Sequence, residues 1–159
     1  MNKPSGHHKH SRRDGIDPVL RSRARRRALQ AIYAWQISGG NAAQVIAQFA
    51  HEQAHEVADL GYFEGLVEGV LSNRVELDSA LLPYLDRAVE DVDAIERAVL
   101  RVAAYELLYR QDVPYRVVIN EAIETAKRFG SEHGHTYVNG VLDRAALGWR
   151  QLEAGRNNG

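Results

Sequence analysis

The sequence predicts an all-α fold, a compact bundle of about seven helices. Three observations point there. Apolar residues recur at i, i+3 and i+4 through most of the chain, and no segment of useful length alternates with period two. N-cap residues and glycines punctuate those periodic segments. The connections between them are short, which suits antiparallel neighbours in a bundle. The 159 residues suffice for one domain with a sizeable core, and 45% hydrophobic with 26% charged residues is an ordinary soluble composition.

Taken in order, residues 1–16 are polar, contain Gly and Pro and lack periodicity, and read as a disordered basic tail. Residues 17–153 read as a single helical domain, and residues 154–159 as a second polar tail. Asp17-Pro18 opens the first helix as an N-cap followed by proline at the first helical position. Ala24, Ala28, Ala31, Ile32 and Trp35 mark its inner face, and Gly39-Gly40 stops it near Ser38. Asn41 with Gln44 resembles a capping box and starts a second helix through Val45, Ile46, Phe49 and Ala50 to about Ala58. Tyr62, Phe63, Leu66, Val67, Val70 and Leu71 form a third, and a shorter helix around Val75–Leu82 ends near Pro83. Asp93 with Glu96 repeats the cap pattern and opens a fifth, with Ile95, Val99, Val102 and Ala103 inward. Pro114 begins the sixth, lined by Val118, Ala122, Ile123, Ala126 and Phe129 and closed by Gly130. After a loop at Ser131–His135, the last helix buries Tyr137, Val138, Val141, Leu142, Ala145 and Trp149.

Several function classes are disfavoured. There is no cysteine, hence no disulfide, thiolate zinc site or thiol nucleophile, and a reducing, cytoplasmic location fits. No apolar run approaches the roughly 18 residues of a membrane span, and no secretory signal follows the basic N-terminus. No P-loop, G-x-S-x-G or dinucleotide-binding glycine pattern is present, so no cofactor is implied. One enzyme-like motif remains, His51-Glu52-Gln53-Ala54-His55, an H-E-x-x-H match with Glu76 at the distance of a third zinc ligand. Charged Glu56 follows the second histidine, no β-sheet is visible to hold a substrate, and Phe49, Ala50 and Val57 already supply the inward face. A zinc hydrolase is the minor alternative, and a solvated helix face the leading reading of these residues.

Charge distribution says more. The net charge is −1, yet residues 1–27 hold nine Lys/Arg against two Asp, a segment charge of +7, and the rest carries −8. A basic arm on an acidic body suits a polyanionic partner. The arginines crowd into Arg21-Ser22-Arg23-Ala24-Arg25-Arg26-Arg27, and a guanidinium fork matches a phosphate with two charge-assisted bonds. Taken alone, this run is equally a solvated basic face or a membrane-surface helix.

That run leads into Ala28–Gln36, and four further segments follow in series. They are Glu96-Arg97-Ala98-Val99-Leu100-Arg101 with Tyr105-Glu106-Leu107; Asp112-Val113-Pro114; Val117-Val118-Ile119-Asn120-Glu121-Ala122-Ile123-Glu124-Thr125-Ala126-Lys127-Arg128-Phe129-Gly130; and Tyr137-Val138-Asn139-Gly140-Val141-Leu142-Asp143. Together, from Arg21 to Ala146, they resemble the bacterial NusB family of transcription antitermination factors. The resemblance implies a helical, non-catalytic protein that binds single-stranded boxA RNA of ribosomal RNA operons. It implies a heterodimer with NusE, a ribosomal small-subunit protein, joined to NusA, NusG and RNA polymerase in an antitermination complex. The alternative within the same resemblance is a detached RNA-binding module related to ribosomal RNA methyltransferases. A helical oligomer that binds RNA without sequence preference is a further one.

By motif, the resemblance assigns Arg21, Arg23 and Arg25 to RNA, extended by Arg26 and Arg27. Tyr137, at a position usually Phe, is a base-stacking or core aromatic, with Tyr84 a weaker second. His135 lies in the adjoining loop, with RNA contact, a metal loop and a surface loop all open. Arg101 is either a phosphate ligand or a structural ion pair. Tyr33, Glu96 and Arg97 fall on the NusE side, where a buried Tyr33–Glu96 hydrogen bond is the competing reading. The chain departs from the pattern at Glu132-His133-Gly134-His135-Thr136: Thr136 removes a positive charge, which His133 restores only when protonated. Monomer and homodimer both stay open.

Overall fold

The structure, a computed structural model, describes residues 17–53, 59–151 and 153. Among the described residues there are seven α-helices and no strands: α1 (Pro18–Ser38), α2 (Ala42–Gln53), α3 (Leu60–Ser72), α4 (Arg74–Leu81), α5 (Ala94–Tyr109), α6 (Tyr115–Phe129) and α7 (Gly134–Trp149). Two short 3₁₀ turns, Leu82–Tyr84 and Val89–Asp91, fill the connection between α4 and α5.

The local signals act as expected. The Asp17 carboxylate accepts from Val19 N and Leu20 N, filling two of the donors orphaned at the start of α1. Gly39 takes φ +77°, a backbone state that favours glycine, and its N–H returns to Trp35 O. Asn41 and Gln44 form a reciprocal box: Gln44 N donates to Asn41 Oδ1 at 2.9 Å and Asn41 N to Gln44 Oε1 at 3.1 Å. At α5 only half the box forms. Asp93 accepts from Ile95 N at 3.0 Å, while the Glu96 carboxyl stays beside that of Asp93 and reaches with Oε2 to the α6–α7 loop. Of the H-E-x-x-H stretch, His51, Glu52 and Gln53 continue the α2 backbone, whereas Ala54 and His55 lie outside the described residues.

The core sits around α5, which packs against α1, α3, α4, α6 and α7. Ala98, Val99, Leu100, Val102, Ala103, Ala104 and Leu107 of α5 are all buried, so no solvated stripe runs along its middle. Small residues let neighbours approach: a Cβ on Gly69 would stand 2.2 Å from the Tyr105 ring. The C-terminal end of α5 is closed by a side chain from far along the chain. Buried Arg150 donates to the carbonyls of Glu106 (3.2 Å), Leu107 (2.8 Å) and Arg110 (3.0 Å), where the helix leaves acceptors and a negative pole. Among the described residues, no helix is long and apolar enough to cross a membrane.

Candidate nucleic-acid interface

Helix α1 sorts its five arginines by direction. Its buried stripe includes Ala24, Arg25, Ala28, Leu29, Ala31 and Ile32, so Arg25 shares the inward face. Arg25 is 6% exposed. It donates from Nε to both oxygens of Glu106 at 2.9 and 3.0 Å, and from Nη2 to Oε2 at 2.9 Å. The Tyr62 hydroxyl donates to the same carboxylate. Burial and that carboxylate hold the Tyr62 phenol well above its ordinary pKa. Arg25 is therefore corrected from a phosphate ligand to an internal ion pair joining α1 to α5. Charge buried this way demands a partner inside the protein.

Arg21 is intermediate. Its guanidinium carbon lies 3.8 Å from the Tyr62 ring centroid and its Nε 3.6 Å from Asp59 Oδ2, leaving the side chain largely covered. Arg23 faces solvent, and Arg26 and Arg27 are half-buried, Arg27 donating to Gln30 Oε1 at 2.9 Å.

The outward arginines meet a second basic element that the sequence motifs contained but did not single out. The C-terminal turn of α6 brings Lys127 and Arg128 beside Arg26. With Ser22, Glu121 and Glu124 they line an open groove of about 370 Å³. Glu121 lies 3.6 Å from Arg25 Nη1, and Glu124 3.8 Å from Lys127 Nζ. Three cations of the groove face two carboxylates. Partial burial and Arg128, with Arg27 and Arg23 behind it, hold the Arg26 guanidinium below its ordinary pKa against the opposing pull of Glu121. Such crowding of cations is relieved by an anion. Lys-Arg at a helix C-terminus is usually read as dipole compensation, which hides this role in the sequence.

The second group of candidates lies around the start of α7. Tyr137 is half-buried against the core, and its hydroxyl donates to Asp86 Oδ1 at 3.2 Å. Burial and the Asp86 hydrogen bond raise its pKa. His135 is half-buried in the first turn of α7, which begins at Gly134, inside the stretch read as a loop. Tyr84 is half-buried edge-on to Trp149, ring centroids 5.8 Å apart, which makes it a packing residue.

Arg101 is 5% exposed, and of its two readings the structure has the ion pair rather than the phosphate ligand. Its Nε and Nη2 donate to Asp78 at 2.9 and 2.8 Å, and Nη1 donates to Gln36 Oε1 at 3.0 Å, tying α5 to α4 and α1.

On the side expected to meet a protein, Tyr33 is 37% exposed and Ile37, one turn on, 64%. Glu96 is 2% exposed, which corrects its assignment as a surface contact. The competing Tyr33–Glu96 bond is not formed either: Glu96 Oε2 accepts from Ser131 N at 3.1 Å and from Ser131 Oγ at 3.4 Å. Burial first, and the neighbouring Asp93 second, raise the Glu96 pKa. Half-buried Arg97 donates to the carbonyls of Glu90 and Val92 at 3.1 and 3.0 Å, fastening the loop before α5. Among the described residues no group of three His, Asp or Glu is arranged to hold a metal ion.

This architecture has close counterparts. The NusB family model matches residues 22–147. A transcription antitermination protein NusB from Xanthomonas axonopodis pv. citri (strain 306) is 86% identical, covering 98% of both chains. A solved NusB from T. maritima is 31% identical with a TM-score of 0.73, covering 79% of this chain and 89% of that one. One chain of the structure of antitermination factors NusB and NusE in complex with dsRNA superposes with a TM-score of 0.75 over 81% of this chain and 97% of that one; at 24% identity it speaks for the fold alone. The chain therefore belongs to the NusB family, and is a non-enzymatic transcription antitermination factor.

Proposed function

We propose that the chain binds boxA-type RNA of ribosomal RNA operons together with NusE, and so helps RNA polymerase read through terminators. The observation that carries this reading is the basic groove of Arg26, Lys127 and Arg128, with Arg23 facing solvent beside it. Arg23, Arg26, Arg27, Lys127 and Arg128 track the phosphate backbone, and the Tyr137 end of α7 meets bases, with His135 beside it. Backbone contacts position the RNA; base contacts specify it. Tyr33 with Ile37 offers NusE an exposed apolar strip, and Arg97 borders the same end of the molecule. NusA, NusG and RNA polymerase complete the assembly in the cytoplasm. Family membership and near-full-length antitermination relatives favour this adaptor over a methyltransferase module.

The test is fluorescence anisotropy with labelled boxA RNA and a scrambled control, at two salt concentrations, with and without NusE. Preference for boxA that NusE tightens is the expected result. Equal binding of both RNAs, unaffected by NusE, would reduce the groove to a generic polyanion site.

A further inference from the structure

The connection between α4 and α5 carries Asp86 and Arg87 to the first turn of α7. Arg87 folds onto its own neighbour: Nε donates to Asp86 Oδ1 at 2.6 Å and Nη2 to Oδ2 at 2.9 Å. The same carboxylate accepts from the Tyr137 hydroxyl at 3.2 Å. These donors lower the Asp86 pKa to about 2, though an aspartate is ionised at neutral pH even without that shift. The result sets the Arg87 guanidinium over the Tyr137 ring, 4.9 Å from its centroid. The ring itself packs against the hydrophobic core.

An exposed pair between sequence neighbours does little for stability. Arg87 and Asp86 keep 45% and 63% of their side-chain surface in solvent. What the arrangement does is place a flat cation over the ring. A guanidinium is planar, delocalised and weakly hydrated, and unpaired RNA bases stack on such planes as they do on aromatic rings. A base approaching the covered side of Tyr137 meets Arg87 first.

We propose that Arg87, laid over Tyr137 and steered by Asp86, is a further RNA-contacting residue, on whose outer plane an unpaired base stacks. Tyr137 is then the backing of a three-layer stack, rather than the surface the base touches. Arg87 also supplies a cation at the end of the RNA face where Thr136 carries none. The inference rests on the RNA reading above and extends it to a base-contacting residue outside the arginine-rich helix.

The experiment uses the full chain and boxA RNA carrying a single 2-aminopurine, moved through the sequence one position at a time. Anisotropy reports affinity and 2-aminopurine quenching reports stacking. Arg87→Ala is expected to weaken binding roughly five- to tenfold and to abolish quenching at one RNA position, with quenching elsewhere intact. Arg87→Lys keeps the charge but not the plane, so it recovers part of the affinity and none of that quenching. Arg87→Ala that binds as tightly as wild type, or tighter, with quenching retained makes Arg87 a bystander or a cover over Tyr137, and overturns the proposal. Wild-type protein that does not distinguish boxA from scrambled RNA refutes the RNA reading itself, before any variant is compared.

Discussion

Arg25 and Arg23 sit two residues apart in one basic run, and the structure gives them opposite jobs. Replacing Arg25 with alanine removes three charge-assisted hydrogen bonds and leaves the Glu106 carboxylate, 1% exposed, with the Tyr62 hydroxyl as its remaining close donor. Removing one partner of a buried ion pair costs about 3–5 kcal/mol, because the other charge stays desolvated. For a domain of this size, about 1 kcal/mol moves the melting midpoint by about 2–4 °C, so Arg25→Ala should melt about 10 °C lower. The folded fraction should bind RNA almost as wild type does. Arg23→Ala should do the reverse: an unchanged midpoint, weaker RNA binding, and a salt dependence shallower by about one phosphate contact. The double replacement Arg25→Met with Glu106→Leu should recover part of the lost stability, since it removes both charges together but leaves the Tyr62 hydroxyl without its acceptor. Urea or thermal unfolding followed by circular dichroism, alongside RNA anisotropy well below the midpoint, reads both quantities. An Arg25→Ala protein that melts with wild type yet loses RNA affinity as Arg23→Ala does would refute the division of the run into inward and outward arginines.

Three other predictions concern the packing around α5. Arg101→Ala leaves Asp78 with Arg74, 3.6 Å away, as its remaining cation and takes the donor from Gln36 Oε1, and should cost about 3 kcal/mol, read by urea unfolding. A Cβ at Gly134 would lie 1.7 Å from Glu96 Oε2, so Gly134→Ala should destabilise strongly, and adding Glu96→Ala should restore part of the loss in a double-mutant cycle. The Glu96 pKa is raised in the folded state above its ordinary 4.5, so its contribution is intact below pH 4.5 and is lost as pH rises through the folded value. Glu96→Gln should therefore melt higher than wild type near neutral pH, with the gap closing below pH 4.5.

The fold was legible because its signals are local. Asp17-Pro18, the Asn41–Gln44 box and the glycines after α1 act within four residues of themselves, and the core faces follow from helical spacing. The site was less legible because charged residues are sorted by partners distant in sequence. Arg25 finds Glu106 81 residues on, and Glu96 finds Ser131 35 residues on. A clue to Arg25 existed: it precedes Leu29 and Ile32 by four and seven residues, the spacing of the apolar stripe. Arginine's usual place at the surface outweighed it. Arg101 offered no such clue, since α5 is covered on every side and its amphipathic pattern does not separate buried from exposed positions. Lys127 and Arg128 lay within a recognised motif, but only folding sets them beside Arg26. Arg87 was invisible because its role depends on a loop brought to the ring of Tyr137.

Glu96, Arg101 and Glu106 stand five residues apart on α5, and each is tied to a different neighbour: the loop before α7, then α4 with α1, then α1 with α3. At about 100° per residue, five residues turn the helix by about 140°, so the three anchors point outward like mooring lines from a single mast. Sliding the mast by one turn, about 5.4 Å, would slacken all three at once. An apolar shaft between apolar neighbours would tolerate several heights; this one has a single berth. The basic groove and the Tyr137 corner are carried by α1, α6 and α7, all packed on that shaft, so the face proposed for RNA is a ruler rather than a hinge.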